Sequence, residues 1–372
     1  MVITRIEPLH LRPRWLVVRV HTDTGVVGLG EATLEGRCLT VEAALHEMSR
    51  WLVGQDPRRI EHIWQHLYRG GFYRGGPVLT SALSGIDQAL WDILGKHLNA
   101  PVYQLLGGAV RDRIRLYGWV NVTATGDYIE SAAKLAAEHK FTAFKCTITE
   151  AMRPLESRAS LDAAAAHFAA LRQRLGDAVD IGVDLHGRCS PAVSRQLAKA
   201  LEPHHPLFLE EPILGDDLTA LRDLAAATSV PLATGERLYT RWQFQELIAQ
   251  RAVAVVQPDV AHAGGISEVR RIAAAAEARE ISFAPHCPLG PVALASCLHL
   301  AAATPNFLCQ EHVTLGETLL KRPFAVRDGY ADLPAGPGLG IELDEAKVAA
   351  ERFDGRWDNP RFAQADGGFA EW

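Results

Sequence analysis

The sequence predicts an α/β protein: an eight-stranded β/α barrel preceded by a smaller α+β unit. Three observations carry that reading. From about Arg113 onward, short apolar runs recur with helix-like segments between them, which is βα periodicity. Those runs number eight, which favours a (β/α)8-type barrel over an open doubly wound sheet. No G-x-G-x-x-G follows a first strand, so a dinucleotide-binding Rossmann domain has no support.

The first ~110 residues mix the two element types. "WLVVRVHTD" and "GVVGLGEA" are valine-rich runs joined at "DTG", a hairpin signal. "VEAALHEMSRWLV" and "SALSGIDQALWDILGKHL" place apolar residues three and four apart, which is helical spacing. This unit ends near "LLGG", and residues 1–112 are read as one α+β domain.

The barrel strands follow in order: "IRLYGWV", "FTAFKCT", "DIGVDLH", "LFLEEPI", "PLATGE", "AVAVVQPDV", "ISFAPHC" and "NFLCQEH". Between them lie helical segments such as "YIESAAKLAAEH", "LDAAAAHFAALRQRL", "AVSRQLAKALE" and "GISEVRRIAAAAEARE". The barrel is assigned to residues 113–325. In "PAGPGLGIELDEAKV" the prolines and glycines mark a loop, and 326–372 is expected to return to the N-terminal unit.

Composition excludes several classes. A net charge of −6 without a basic run leaves no footprint for nucleic acid or an anionic membrane. The N-terminus lacks the pattern of a secretory signal, and no apolar stretch approaches the roughly 20 residues needed to span a bilayer. Six cysteines without C-x-x-C spacing fit reduced thiols, so a cytoplasmic location is expected.

The chemistry gathers where a barrel keeps its active site, at the C-terminal ends of the strands. Those ends carry Lys145, Asp184, His186, Glu210, Glu236, Asp259, His286 and Glu311. Asp184, Glu210 and Glu236 stand 26 residues apart on three successive strands. Neighbouring strands lie about 5 Å apart, so three such carboxylates can converge, and an all-oxygen trio suits Mg2+. Taken singly, each is as readily a solvated loop acid. In "GVDLHGR" the period-two pleat would put Asp184 and His186 on one face. Asp259 ends the strand next to that of His286 and can orient its imidazole. Lys145 is either a structural ion pair or a partner for a substrate carboxylate.

Over essentially its whole length the chain resembles the enolase superfamily, in the mandelate racemase subgroup. The resemblance rests on "GFYRGGP", "GIDQALWDI", "LGGAVRD", "VDLHGR", "FLEEPIL", "TGERLYTR", "QPDVAHAGGI", "APHCPLGP", "QEH" and "AEW". It implies a modified TIM barrel, (β/α)7β, under an N-terminal α+β capping domain. It implies Asp184, Glu210 and Glu236 as ligands of one Mg2+ per subunit, and His286, paired with Asp259, as the base that removes the proton next to a carboxylate. His186 would be the acid that assists departure of the 3-hydroxyl, Glu311 would stabilise the enediolate oxygen, and Lys145 would sit near the carboxylate. The activity implied is dehydration of an acid sugar, with D-galactonate the expected aldonate. Another aldonate, or epimerase or lactonising chemistry, stays open, as does a non-catalytic sugar-acid sensor. A homo-oligomer is expected from the frequency of symmetric assemblies.

Two departures from the subgroup are visible. Many members carry Lys-x-Lys at the second barrel strand, whereas "KCT" puts Thr147 at the second position, leaving no lysine base there. The stretches "KCTITEAMRPLESRAS" and "QEHVTLGETLLKRPFAVRDG" are also unlike it, and these loops shape the pocket. So do "LRPRW" and "EGRCLT" from the N-terminal unit, from which Arg14 and Trp15 are expected to close over the sugar acid.

Overall fold

The computed structural model describes residues 1–121, 127–312 and 317–372. The N-terminal unit opens with an antiparallel meander, β1 (Ile3–Leu11), β2 (Trp15–Thr22) and β3 (Val27–Glu31). Four helices follow: α1 (Cys38–Leu52), α2 (Ile60–Arg69), α3 (Pro77–Leu98) and the single turn α4 (Val102–Leu105). The hairpin at "DTG" forms as expected, turning at Gly25 with φ +80°. Helix α3 starts with proline at its first turn and stops at Asn99 in the left-handed region, a recognisable start and stop. It lies directly on β3, because a side chain at Gly30 would overlap the carbonyl of Gly85.

The barrel alternates strands and helices: β4 (Arg113–Asn121), α5 (Tyr128–His139), β5 (Ala143–Thr147), α6 (Arg158–Leu175), β6 (Asp180–Asp184), α7 (Pro191–Leu201), β7 (Leu209–Glu210), α8 (Leu218–Ala227), β8 (Leu232–Thr234), α9 (Thr240–Gln250), β9 (Val255–Val256), α10 (Gly265–Glu277), β10 (Ser282–Phe283), α11 (Pro291–Ala303) and β11 (Gln310–Glu311). All these strands pair in parallel from β4 to β10. The ring closes through a parallel bridge from Phe283 to Phe307 and the pairing of β11 with β4. Among the described residues, eight strands and seven intervening helices make a (β/α)7β barrel, one helix short of the full repeat. Its interior is packed with Tyr117, Ala143, Phe208, Ala233 and Val255, while Ile181, Val183, Leu209, Leu232 and Val256 alternate outward onto the helices, as parallel strands buried on both faces require.

The segment from 326 onward does more than return to the N-terminal unit. β12 (Val326–Arg327) and β13 (Tyr330–Asp332) form a hairpin whose second strand pairs antiparallel with the start of β4. The stretch around Gly338 joins α3 and α4, where Asp92 accepts from Leu339 N at 2.8 Å. The loop expected at "PAGPGLGIELDEAKV" ends in a short helix, α12 (Glu345–Ala350), capped by Asp344. Arg352 then pairs with Leu11, and the last dozen residues cross the barrel mouth.

Buried carboxylates fasten the capping unit to the barrel. Glu31 Oε1 and Oε2 accept from Gly290 N at 2.8 Å and Ala293 N at 3.0 Å, capping α11. Asp87 on α3 accepts from Ser267 N at 2.9 Å and so caps α10. Burial raises the carboxyls of Glu31 and Asp87 to about 7 each, against the backbone and side-chain donors that pull them down. No helix among the described residues is long and apolar enough to cross a membrane.

Candidate active site

A cavity of about 670 Å3 opens at the C-terminal ends of the barrel strands, and Lys145, Asp184, His186, Glu236, His286 and Glu311 line it. Asp184, Glu210 and Glu311 are the last residues of β6, β7 and β11. Glu236, Asp259 and His286 lie two or three residues past β8, β9 and β10, because those ladders are only two or three residues long. Lys145 projects from the middle of β5.

His186 reaches the site by a route other than the pleat. β6 stops at Asp184, and His186 and Gly187 turn the chain with φ of +50° and +65°. A side chain at Gly187 would press on Leu214 Cδ2 at 2.8 Å as well as strain the backbone, so glycine is required there. The turn is held by Asp184 Oδ1, which accepts from His186 N at 2.9 Å, and by Arg237 Nη2, which donates to the His186 carbonyl at 2.9 Å. The imidazole Nε2 then lies 3.1 Å from Asp184 Oδ2. The two side chains do meet, but through a left-handed turn and not through a shared strand face.

One oxygen each from Asp184, Glu210 and Glu236 falls within 4.8 Å of the others. Positive charge is matched unevenly to their burial. Glu236 Oε2 is buried without an aligned hydrogen bond, its nearest cation being His286 Nε2 at 3.3 Å. Burial lifts the Glu210 carboxyl to about 8 although Lys145 pulls it down, while Asp184 is held near 2 because His186 and Lys145 outweigh its burial. Three converging hard oxygens with an unmatched lone pair fit a divalent cation such as Mg2+.

Lys145 is fully buried, with Nζ 2.8 Å from Glu210, 3.0 Å from Glu311 and 3.3 Å from Asp184. Burial would discharge it, but these carboxylates hold its pKa well above the usual lysine value. Both oxygens of Glu311 are engaged, one by Lys145 and the other by Cys287 N at 2.8 Å. Glu311 can donate a hydrogen bond to an oxyanion only in its protonated form.

On the far side, His286 Nδ1 lies 2.7 Å from Asp259 Oδ2. Burial opposes a charge on His286, yet Glu236, Asp259 and Glu311 raise its pKa well above the ordinary value. Sequence reasoning missed a further link: His262 Nε2 sits 3.8 Å from the same Asp259 oxygen, and its Nδ1 pairs with Ser81 of α3 at 3.1 Å. Its signal was the three-residue interval in "DVAH".

Arg14 lines the cavity, ion-paired with Glu35 at 2.6 Å and lying 5.0 Å over the Trp357 ring. Trp15 does not. It is the first residue of β2 and packs fully buried in the large hydrophobic core with Leu9, Leu11 and Val17, whereas Arg14 belongs to the turn before the strand. The aromatic wall comes instead from Trp119, Trp357, Phe362 and Trp372. Thr147 faces the cavity where a lysine was absent from the sequence, alongside Glu150 of the loop after β5. The loop after β11 was expected to shape the pocket, and its residues 313–316 lie outside the described residues.

Residues 9–107 match the model of the mandelate racemase/muconate lactonizing enzyme N-terminal domain, and 127–347 match the enolase C-terminal domain-like model. The chain is 48% identical to a D-galactonate dehydratase of Ralstonia nicotianae and 47% identical to one of Pectobacterium atrosepticum, with all of each chain covered. Among solved structures, an enolase described as a putative galactarate dehydratase from Agrobacterium radiobacter, with sodium and L-malate bound, superposes with a TM-score of 0.93. That pair shares 34% identity, with 100% of both chains covered. A mandelate racemase/muconate lactonizing enzyme from a Jannaschia species gives 0.90 at 34% identity, covering 96% of this chain and 99% of the other.

Proposed function

Since this chain belongs to the enolase superfamily, in its mandelate racemase/muconate lactonizing enzyme branch, we propose that it is a dehydratase of acid sugars, converting D-galactonate to 2-dehydro-3-deoxy-D-galactonate. The observation that carries this reading is the opposition of two histidines across the carboxylate trio: a dyad base on one side and a second imidazole on the other.

Asp184, Glu210 and Glu236 would hold Mg2+, which supplies a fixed positive charge against the negative charge that gathers on the substrate carboxylate when C2 is deprotonated. Lys145 adds its ammonium at the same end, held in line by Glu311. His286 Nε2 takes the C2 proton, while Asp259 keeps the other ring nitrogen protonated and steadies the resulting imidazolium. The electron pair of the C2–H bond moves into the carboxylate system and then expels the C3 hydroxyl. His186 Nε2 gives that group a proton, so it leaves as water, and the enol left behind tautomerises to the 2-keto acid. With Thr147 in place of a lysine there is no second amine base at C2.

The test is turnover of a library of aldonates with Mg2+, read by 2-keto acid formation. D-Galactonate is expected to be consumed with release of the 2-keto-3-deoxy product. A library left untouched ends the dehydratase reading, and accumulation of a C2 epimer without keto product replaces it with an epimerase.

A further inference from the structure

The two histidines at the mouth are fastened differently. The His286 ring is fixed by its hydrogen bond to Asp259. His186 has no equivalent: Nδ1 is buried without a hydrogen-bond partner, and Nε2 has only Asp184 Oδ2, on a carboxylate assigned to the cation. Arg237 holds the His186 main chain, but this leaves the ring free to turn about its Cβ.

An aromatic contact supplies the missing restraint. The Trp372 ring meets the His186 ring edge to face, with centroids 5.4 Å apart and planes at 77°. Trp372 is itself wedged. Phe362 lies 5.9 Å away at 63°, and the Arg188 guanidinium sits 5.7 Å over Trp372 and 5.1 Å over Phe362. Arg188 is nine-tenths buried and donates from Nη1 to the Thr149 carbonyl at 2.6 Å. The chain carrying both aromatic rings is pinned as a turn: Gln364 N donates to Gly368 O at 2.8 Å, and Gln364 Nε2 to Met152 O at 3.0 Å.

We propose that Trp372 is a positioning residue for His186, setting the plane of its imidazole and hence the direction from which the leaving hydroxyl is protonated. The proposal rests on the reading of His186 as the acid. Trp372 also lines the cavity, so the rival role is a simple wall for substrate, and the two roles separate kinetically. A wall acts on binding, whereas a positioning residue acts on the elimination step alone and leaves proton removal by His286 intact.

The experiment uses the full chain with Mg2+ and D-galactonate. Trp372→Leu is expected to lower kcat for dehydration about 100-fold, the scale of a displacement near 1 Å at a reacting group. Exchange of the C2 proton with solvent deuterium, followed by NMR, is expected to stay within about threefold of the parent, as is KM. Trp372→Phe, which keeps a ring edge, is expected to recover most of the loss. Arg188→Lys, which removes the stack behind Trp372, is expected to give the same split at smaller size, and it stands in if Trp372→Leu does not fold. A reading independent of turnover is carbethoxylation by diethyl pyrocarbonate mapped by mass spectrometry: His186 is expected to react several-fold faster in the Leu variant, and His286 at an unchanged rate. Exchange and dehydration falling together, a rise in KM alone, or unaltered His186 labelling each overturns the proposal. If the parent enzyme turns over no aldonate, the dehydratase reading fails separately, and the labelling still decides whether Trp372 holds the ring.

Discussion

Because a carboxylate can only accept a hydrogen bond, the proton between Asp259 and His286 belongs on Nδ1, and in the neutral ring Nε2 carries the lone pair that makes it a base. Asp259→Asn removes the ion pair that stabilises the imidazolium. It is expected to lower both dehydration and C2 exchange, by about 10²- to 10⁴-fold, the usual contribution of a positioned general base. His286→Asn is expected to abolish both, and His186→Asn dehydration alone; full turnover in the His286 variant would falsify the base assignment. Lys145 gives a different prediction, because among the described residues it is the one cation in contact with Asp184, Glu210 and Glu311 together. Lys145→Met takes the ammonium away from all three buried carboxylates, leaving Asp184 only His186, and is expected to destabilise the metal-free chain by about 3–5 kcal/mol. Added Mg2+ is expected to restore part of that loss in denaturant titrations. A variant as stable as the parent without metal would mean that the carboxylates are not charged together.

Elements explain why some of this was legible in advance and some was not. The barrel strands announced themselves because parallel strands buried on both faces read as apolar runs, and the helices α5, α6, α7 and α10 because their apolar spacing is regular. Strand ends were less legible. β7, β9, β10 and β11 keep only two ladder residues, so Asp259 and His286 sit on loops held by their own hydrogen bonds. Trp372 entered only through "AEW" and carried no role, since His186 and Arg188 lie over 180 residues away in the sequence and its own segment is irregular. The caps on α10 and α11 were equally hidden: Glu31 and Asp87 look like ordinary strand and helix acids until the fold buries them. Their consequence is a pH dependence. With Glu31 at about 7 when folded and 4.5 ordinarily, the folded chain holds its proton between those values while the unfolded chain has lost it. Stability from this group is therefore greatest below about pH 4.5 and declines as pH rises to 7, by at most about 3 kcal/mol. Thermal unfolding of Glu31→Gln between pH 5 and 8 is expected to show a shallower decline than the parent. Parallel profiles would mean that Glu31 is ionised throughout.

At the scale of the whole molecule, the site is assembled from parts that fold far apart in sequence. The capping unit brings Arg14 and Glu35, the barrel brings the carboxylates and histidines, and the final segment brings Trp357, Phe362 and Trp372. Buried contacts such as Trp64 Nε1 to Gly264 O at 2.8 Å run across the seam between cap and barrel. A ligand held only by the folded site must therefore stabilise all three parts together. At one hundred times its dissociation constant, Mg2+ is expected to add about 2.7 kcal/mol to the stability of the chain. In calorimetry this is a single transition whose midpoint climbs with the logarithm of Mg2+ concentration and falls back on chelation. Glu236→Gln removes one of the three converging oxygens and is expected to flatten that climb, with the transition remaining single. If the climb is unchanged in the variant, the cation binds elsewhere. If a second transition appears that Mg2+ does not move, the cap is not coupled to the barrel through the buried caps on α10 and α11.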